Sequence, residues 1–102
     1  MNQIPLLLQA LRDAGFPHPV AIRPARDAEL GSILEADALD VPESAVLATH
    51  EVLADLLWPH AFAPCTVLAG VFDSDESAEV RASLPAQTVL YEPPPSRHSA
   101  RH

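Results

Sequence analysis

An uncharged run followed at once by acidic side chains constrains the fold of this chain more than any other feature. Residues 65–72, CTVLAGVF, carry no charge, and four acidic residues follow within the next seven positions. A continuous apolar run of strand length is typical of a strand that is buried on both faces, as in parallel α/β sheets. Such sheets bind ligands beyond the carboxyl ends of their strands. The sequence therefore predicts a central strand at 65–72 with an acidic edge at its carboxyl end, formed by Asp73, Asp75, Glu76 and Glu79.

The length of 102 residues indicates a single domain, which we expect to cover residues 1–92. Three prolines at 93–95 and the polar segment 96–102 predict a disordered tail over residues 93–102. The single Cys65 excludes an internal disulfide, and its place at the start of an apolar strand favours an inert core thiol.

The excess of acidic over basic residues limits the classes of molecule that we expect this chain to bind. Residues 1–92 contain all 14 acidic residues but only four arginines and no lysine, which gives them a net charge of −10. Binding to a nucleic acid backbone depends on basic contacts, so we expect no nucleic acid partner and no acidic membrane partner. A basic protein partner is compatible with this charge.

The amino-terminal segment lacks the basic start of a secretory signal, and no segment approaches the ~18 apolar residues of a membrane span. The expected location is the cytoplasm.

Local patterns predict the first and last elements. Apolar spacings of three and four predict a helix over 3–14, with Asn2 as its cap and Gly15 at the left-handed stop position. Residues 20–22 are typical of a short strand, which Pro24 ends or places near a sheet edge. A short helix over 75–83, capped by Asp73 or Ser74, and a strand over 87–91 complete the chain.

Two segments have alternative interpretations. Asp27 favours a capped helix within 26–41, whereas Gly31-Ser32 suits a turn between hairpin strands at 20–25 and 33–39. We adopt the helix. Residues 43–58 form either one helix or a short strand at 45–48 followed by a helix capped by Thr49, and we adopt the second.

The resulting order of elements predicts an α/β fold, a small single-domain sheet of about four mostly parallel strands with packed helices. The alternative is an α+β fold with an N-terminal hairpin. Gly70 in the middle of the central strand indicates the close approach of a helix or of another backbone.

Asp73 and Asp75 have two interpretations. Two carboxylates at the end of a strand can bind Mg²⁺ and orient a phosphate. Acidic residues in a first helical turn also satisfy free N–H groups and interact favourably with the helix dipole. We favour the cap, and we predict no metal site and no cofactor.

A wider constellation follows from the parallel sheet. If the strands run parallel, Arg23 and Arg26 leave the first strand at the same edge as His50 and the acidic residues. Such a set could bind a small anion, with His50 titrating near neutrality. The other interpretation is that the arginines form surface ion pairs, each of which contributes little.

Trp58 and Phe62 lie in a proline-flanked loop. They are either exposed anchors for a partner or a lid folded back on the core.

Together these features predict a small acidic, non-catalytic module that binds a protein, such as an accessory or inhibitor protein. Its contacts would be the acidic edge and the Trp58–Phe62 loop. One alternative is a Mg²⁺-dependent domain that handles a phosphate or nucleotide through Asp73 and Asp75. Another is a homo-oligomeric subunit joined through an edge strand at 20–22 or 89–91.

Overall fold

The computed structural model describes residues 3–62 and 65–94. The predicted Asn2 cap and the predicted disorder beyond Pro94 lie outside these residues. The described elements, in chain order, are α1 (Ile4–Ala14), β1 (Val20–Asp27), β2 (Gly31–Ala38), α2 (Val46–Leu57), β3 (Thr66–Val71), α3 (Ser74–Ala82) and β4 (Val89–Tyr91).

The strands form one mixed sheet in the order β3-β2-β1-β4. Strand β1 is antiparallel to both of its neighbours, and only β2 and β3 run parallel. The predicted mostly parallel sheet is therefore wrong. The fold is a small α+β arrangement of a mixed four-stranded sheet and, within the described residues, three α-helices, and it contains the N-terminal hairpin of the alternative interpretation.

The turn of this hairpin explains why a helix was the wrong choice for 26–41. The Oδ1 atom of Asp27 accepts hydrogen bonds from the N–H groups of Glu29 and Leu30, at 2.8 and 3.0 Å. A helix N-cap uses the same side-chain acceptor, so Asp27 suits both structures. Gly31 decides between them, because its φ of 79° returns the chain into β2 and lies outside the helical region.

Residues 43–60, which precede β3, follow a helical path. Glu43–Ala45 form a single 3₁₀ turn that leads directly into α2, so the predicted strand at 45–48 is wrong and the one-helix alternative is correct. Pro42 precedes the first turn, where a proline is tolerated. Helix α2 ends at Leu57, and the chain continues as a second 3₁₀ turn over Trp58–His60.

One face of the sheet carries the core. Leu34, Ala36 and Ala38 of β2 pack with Leu7 and Leu11 of α1 and with Leu53 and Leu57 of α2. We call this the core face, and the opposite face, which carries the odd-numbered side chains of β2, the outer face.

Strand β3 lies at an edge of the sheet, not at its centre. The strand itself was predicted correctly, but Val67 is its one buried residue and Leu68 is exposed on the outer face. The apolar run therefore reflects a strand with a hydrophobic exposed side. Conversely, Val20–Ile22 have partners on both sides, so the predicted oligomeric edge at 20–22 is wrong.

Helix α1 was predicted correctly, including its stop at Gly15, which has φ 62°. Its amino end is held by Gln3, a buried residue whose amide donates to the carbonyl oxygens of His60 and Cys65 and accepts from the Cys65 N–H. The half-buried Cys65 thiol lies 3.2 Å from the same amide oxygen.

No helix among residues 3–62 and 65–94 is long and apolar enough to cross a membrane.

Candidate functional site

Asp73, the first residue of the acidic edge, caps helix α3. The Oδ1 atom of Asp73 accepts from the N–H of Glu76 at 2.9 Å, and the Glu76 carboxylate accepts from the N–H of Asp73 at 3.2 Å. This reciprocal pair is a capping box, which satisfies two backbone donors at the start of α3. The predicted capping role of Asp73 is thereby confirmed.

A shallow polar cavity of about 210 Å³ adjoins this cap. It brings Asp73 and Asp75 beside Glu43, which precedes α2. Within the described ranges no group of three or more His, Cys, Asp or Glu side chains is placed to hold a metal ion.

The composite anion site does not assemble, because its premise of parallel strands is wrong. Strand β1 runs opposite to β3, so Arg26 is paired with Ser32, six rows from the Val20–Ala38 pair beside which β3 ends. At ~3.3 Å per residue this places Arg26 about 20 Å along the sheet from that end. Its Nη1 donates instead to the hydroxyl of Ser32 at 3.1 Å.

Arg23 also turns away from the acidic edge. Its guanidinium lies on the outer face, with Nη2 2.9 Å from Oε2 of Glu35 and Nε 2.9 Å from Oδ2 of Asp37. Arg23 thus forms ion pairs, but with Glu35 and the buried Asp37 of the neighbouring strand and not with the acidic edge. His50 lies separately on α2, where its Nε2 is 3.3 Å from the carbonyl oxygen of Ala69.

Asp37 is the most perturbed acid that the structure describes. It is 3% exposed, and burial raises its pKa to about 6 against the opposing attraction of Arg23. Nε of Arg23 and Oδ2 of Asp37 are close but not aligned, and neither atom has a hydrogen-bond partner within the described part of the chain. A Cβ on Gly70 would lie 2.7 Å from Oδ1 of Asp37, so this carboxylate is the close neighbour that Gly70 accommodates.

The largest described cavity is a groove of about 510 Å³ between α2 and β3. Trp58 and Phe62 lie at this groove and are 65% and 63% exposed, so they do not form the lid on the core, and their role as partner anchors stays a prediction. Their rings are 4.9 Å apart at 88°, an edge-to-face arrangement that fixes each against the other. The other lining residues are His50, Ala54, Leu57, Ala61, Thr66, Val67, Leu68 and Ala69.

Two carboxylates lie on α2 in the two helical turns that precede the aromatic pair. Glu51 and Asp55 are exposed, the spacing 51, 55, 58 follows one stripe of a helix, and the Phe62 ring contacts the ring of Trp58. We call Glu51, Asp55, Trp58 and Phe62 the acid–aromatic stripe. The predictions missed Glu51 and Asp55 because the helix was assumed to give way to an irregular loop at Pro59. The 3₁₀ turn over Trp58–His60 instead continues the helical path.

The chain shows no significant similarity to any protein-family model, curated protein or solved structure.

Proposed function

We propose that this protein is a small non-catalytic module that binds another protein, acting as a cytoplasmic accessory or inhibitor protein. The observation that carries the proposal is the exposed Trp58–Phe62 pair at the groove between α2 and β3. Folded proteins rarely leave large aromatic residues together in water without a partner, and exposed apolar patches mark interaction sites. Aromatic anchors that fill or line a pocket contribute most of the affinity at many interfaces.

The engagement of the polar side chains supports a binding role over a catalytic one. A Mg²⁺-dependent phosphate site would use Asp73, but one of its carboxylate oxygens is already bonded to the backbone N–H of Glu76. Arg23, the arginine nearest the middle of the sheet, is held by Glu35 and Asp37. Each group is therefore already engaged in an internal contact, which reduces its capacity to bind a substrate.

The charge of the molecule favours a basic partner. The net charge is −8, and the acidic residues include Asp73 and Asp75 beyond the carboxyl end of β3 and the exposed Asp55 on α2. Between two copies of this chain the like charges repel, which works against the homo-oligomeric alternative at the edge strand β4. A basic partner would bind more weakly as salt rises.

Capture from cell extract with the immobilised full chain, at low salt, tests the proposal. We expect a partner that is lost with Phe62→Ser and with Leu68→Ser, because both residues line the groove, Leu68 from the strand at its edge. Leu90→Ser is a matched control, since Leu90 is 38% exposed and Leu68 39%, on opposite edge strands of the sheet. The captured protein must then bind the purified chain directly. A partner retained equally by all three variants would show that the groove is not the binding surface.

A further inference from the structure

Four side chains on and just after α2 combine two kinds of chemistry. The carboxylates of Glu51 and Asp55 precede the rings of Trp58 and Phe62 on the acid–aromatic stripe, and all four residues are exposed. None of the described residues that line the adjoining groove is Lys or Arg. The stripe therefore presents negative charge and aromatic faces, and among the described residues no ion pair involves Glu51 or Asp55.

This combination is selective for a particular side chain. A cation over an aromatic face is attracted by the ring quadrupole, and arginine forms such contacts more often than lysine. Arginine also stacks its planar guanidinium on a ring while its N–H groups donate to a carboxylate. The perpendicular rings of Trp58 and Phe62 offer faces in two directions, and Asp55 precedes Trp58 by three residues, one turn of helix.

We propose that the acid–aromatic stripe recognises an arginine-bearing protein segment, whose guanidinium stacks on the Trp58–Phe62 pair and pairs with Asp55, while Glu51, one helical turn before Asp55, adds negative charge. A neighbouring apolar side chain of the same segment enters the groove beside Leu68. The proposal rests on the proposed function and specifies the chemistry of its partner. Charge complementarity works against the folded part of a second copy as the occupant, because residues 1–92 carry a net charge of −10.

Trp58 provides a direct readout, because it is the single tryptophan of the chain. The probe is a capped synthetic peptide of alternating leucine and arginine, titrated to millimolar concentration while Trp58 fluorescence is recorded. The comparison peptide replaces each arginine by citrulline, which keeps the shape of the side chain and removes its charge. We expect a saturable change with the arginine peptide and roughly three- to tenfold weaker binding of the citrulline peptide, from the lost cation–π and ion-pair contacts.

Matched variants separate local recognition from general charge. The double variant Glu51→Gln with Asp55→Asn should bind the arginine peptide about three- to tenfold more weakly. Glu29→Gln with Glu92→Gln removes the same formal charge from exposed positions elsewhere and should leave the affinity within about twofold. Thermal unfolding of each variant confirms that it is folded.

The possible results bear differently on the two proposals. Equal affinity for the arginine and citrulline peptides, or equal weakening by both double variants, overturns the arginine assignment and leaves the groove as a binding surface. The absence of any fluorescence change with either peptide also overturns it. Failure of the proposed function is recognised separately, when no captured protein depends on Phe62 and Leu68.

Discussion

Replacing Asp37 by Asn tests the strongest electrostatic feature of the fold. Asp37 is almost fully buried on the outer face. Burial and the charge of Glu35 disfavour its ionised form, whereas the charge of Arg23 favours it. The net effect raises its pKa from 3.8 to about 6. Burial therefore outweighs the ion pair, and the charged form of Asp37 destabilises the folded protein at neutral pH.

The sign and the pH window follow from linkage. Between about pH 4 and pH 6 the folded state retains a proton that the unfolded state has released, so the contribution of Asp37 to stability decreases as pH rises through this range. A shift of about two pKa units corresponds to ~3 kcal/mol, and residual solvent around Arg23 reduces the expected value to about 1–3 kcal/mol. Asp37→Asn removes this dependence, so the variant gains that amount relative to the wild type between pH 4 and pH 7.

Urea unfolding followed by circular dichroism at constant ionic strength measures this difference. The comparison uses the change of the variant-minus-wild-type free energy with pH, because a constant offset between Asn and a protonated Asp then cancels. Glu35→Gln is a second variant: it removes a charge that raises the pKa of Asp37 in the folded state, so the upper end of the window should move to lower pH. A difference that does not vary with pH would show that Arg23 balances burial, and one that falls as pH rises would show that Arg23 outweighs it; either result would refute the argument.

Two further predictions concern close packing and a buried amide. Gly70→Ala should destabilise the protein by about 1–3 kcal/mol, because the new Cβ would lie 2.7 Å from the Asp37 carboxylate; the loss should shrink in the Asp37→Ala background, and equal losses in both backgrounds would contradict the assigned contact. Gln3→Leu should cost about 1–3 kcal/mol in urea unfolding, because it leaves the buried polar groups of Cys65 and His60 without their partner. Gln9→Leu, on the exposed side of α1, is its control and should change stability by less than about 0.5 kcal/mol.

Elements whose signals are local could be predicted from the sequence. Helix α1 ends before Gly15, a residue type that readily adopts the left-handed conformation of a helix stop. Helix α3 is preceded by Asp73, and Glu76 follows three residues later, which is the spacing of a capping box. Strand β3 follows from its unbroken apolar run. In each case the residues that determine the structure lie within a few positions of one another, so no knowledge of the tertiary fold is needed.

Strand order depends on contacts between distant residues, and it could not be read from these signals. Asp27 bonds the same backbone donors in a turn as in a helix cap, so only the conformation of Gly31 separates a hairpin from a helix. Once the hairpin forms, its register decides which side chains meet: Arg23 faces Glu35, and a slip of one residue would place it on the core face. The Arg23–Asp37 pair is therefore a consequence of the register of the hairpin, and no spacing of residues in the sequence predicts it.

The acid–aromatic stripe was hidden for a related reason. A proline ends an α-helix in most sequence arguments, and Pro59 does end α2. A proline is nevertheless compatible with the first turn of a new helical segment, and here that segment is a 3₁₀ turn that directly follows α2. Trp58 thus follows Asp55 by one helical turn although a helix boundary lies between them, and its ring contacts that of Phe62. Side chains on either side of a proline that ends a helix can therefore still lie next to one another. In this protein the surface that best suits a partner spans the end of α2.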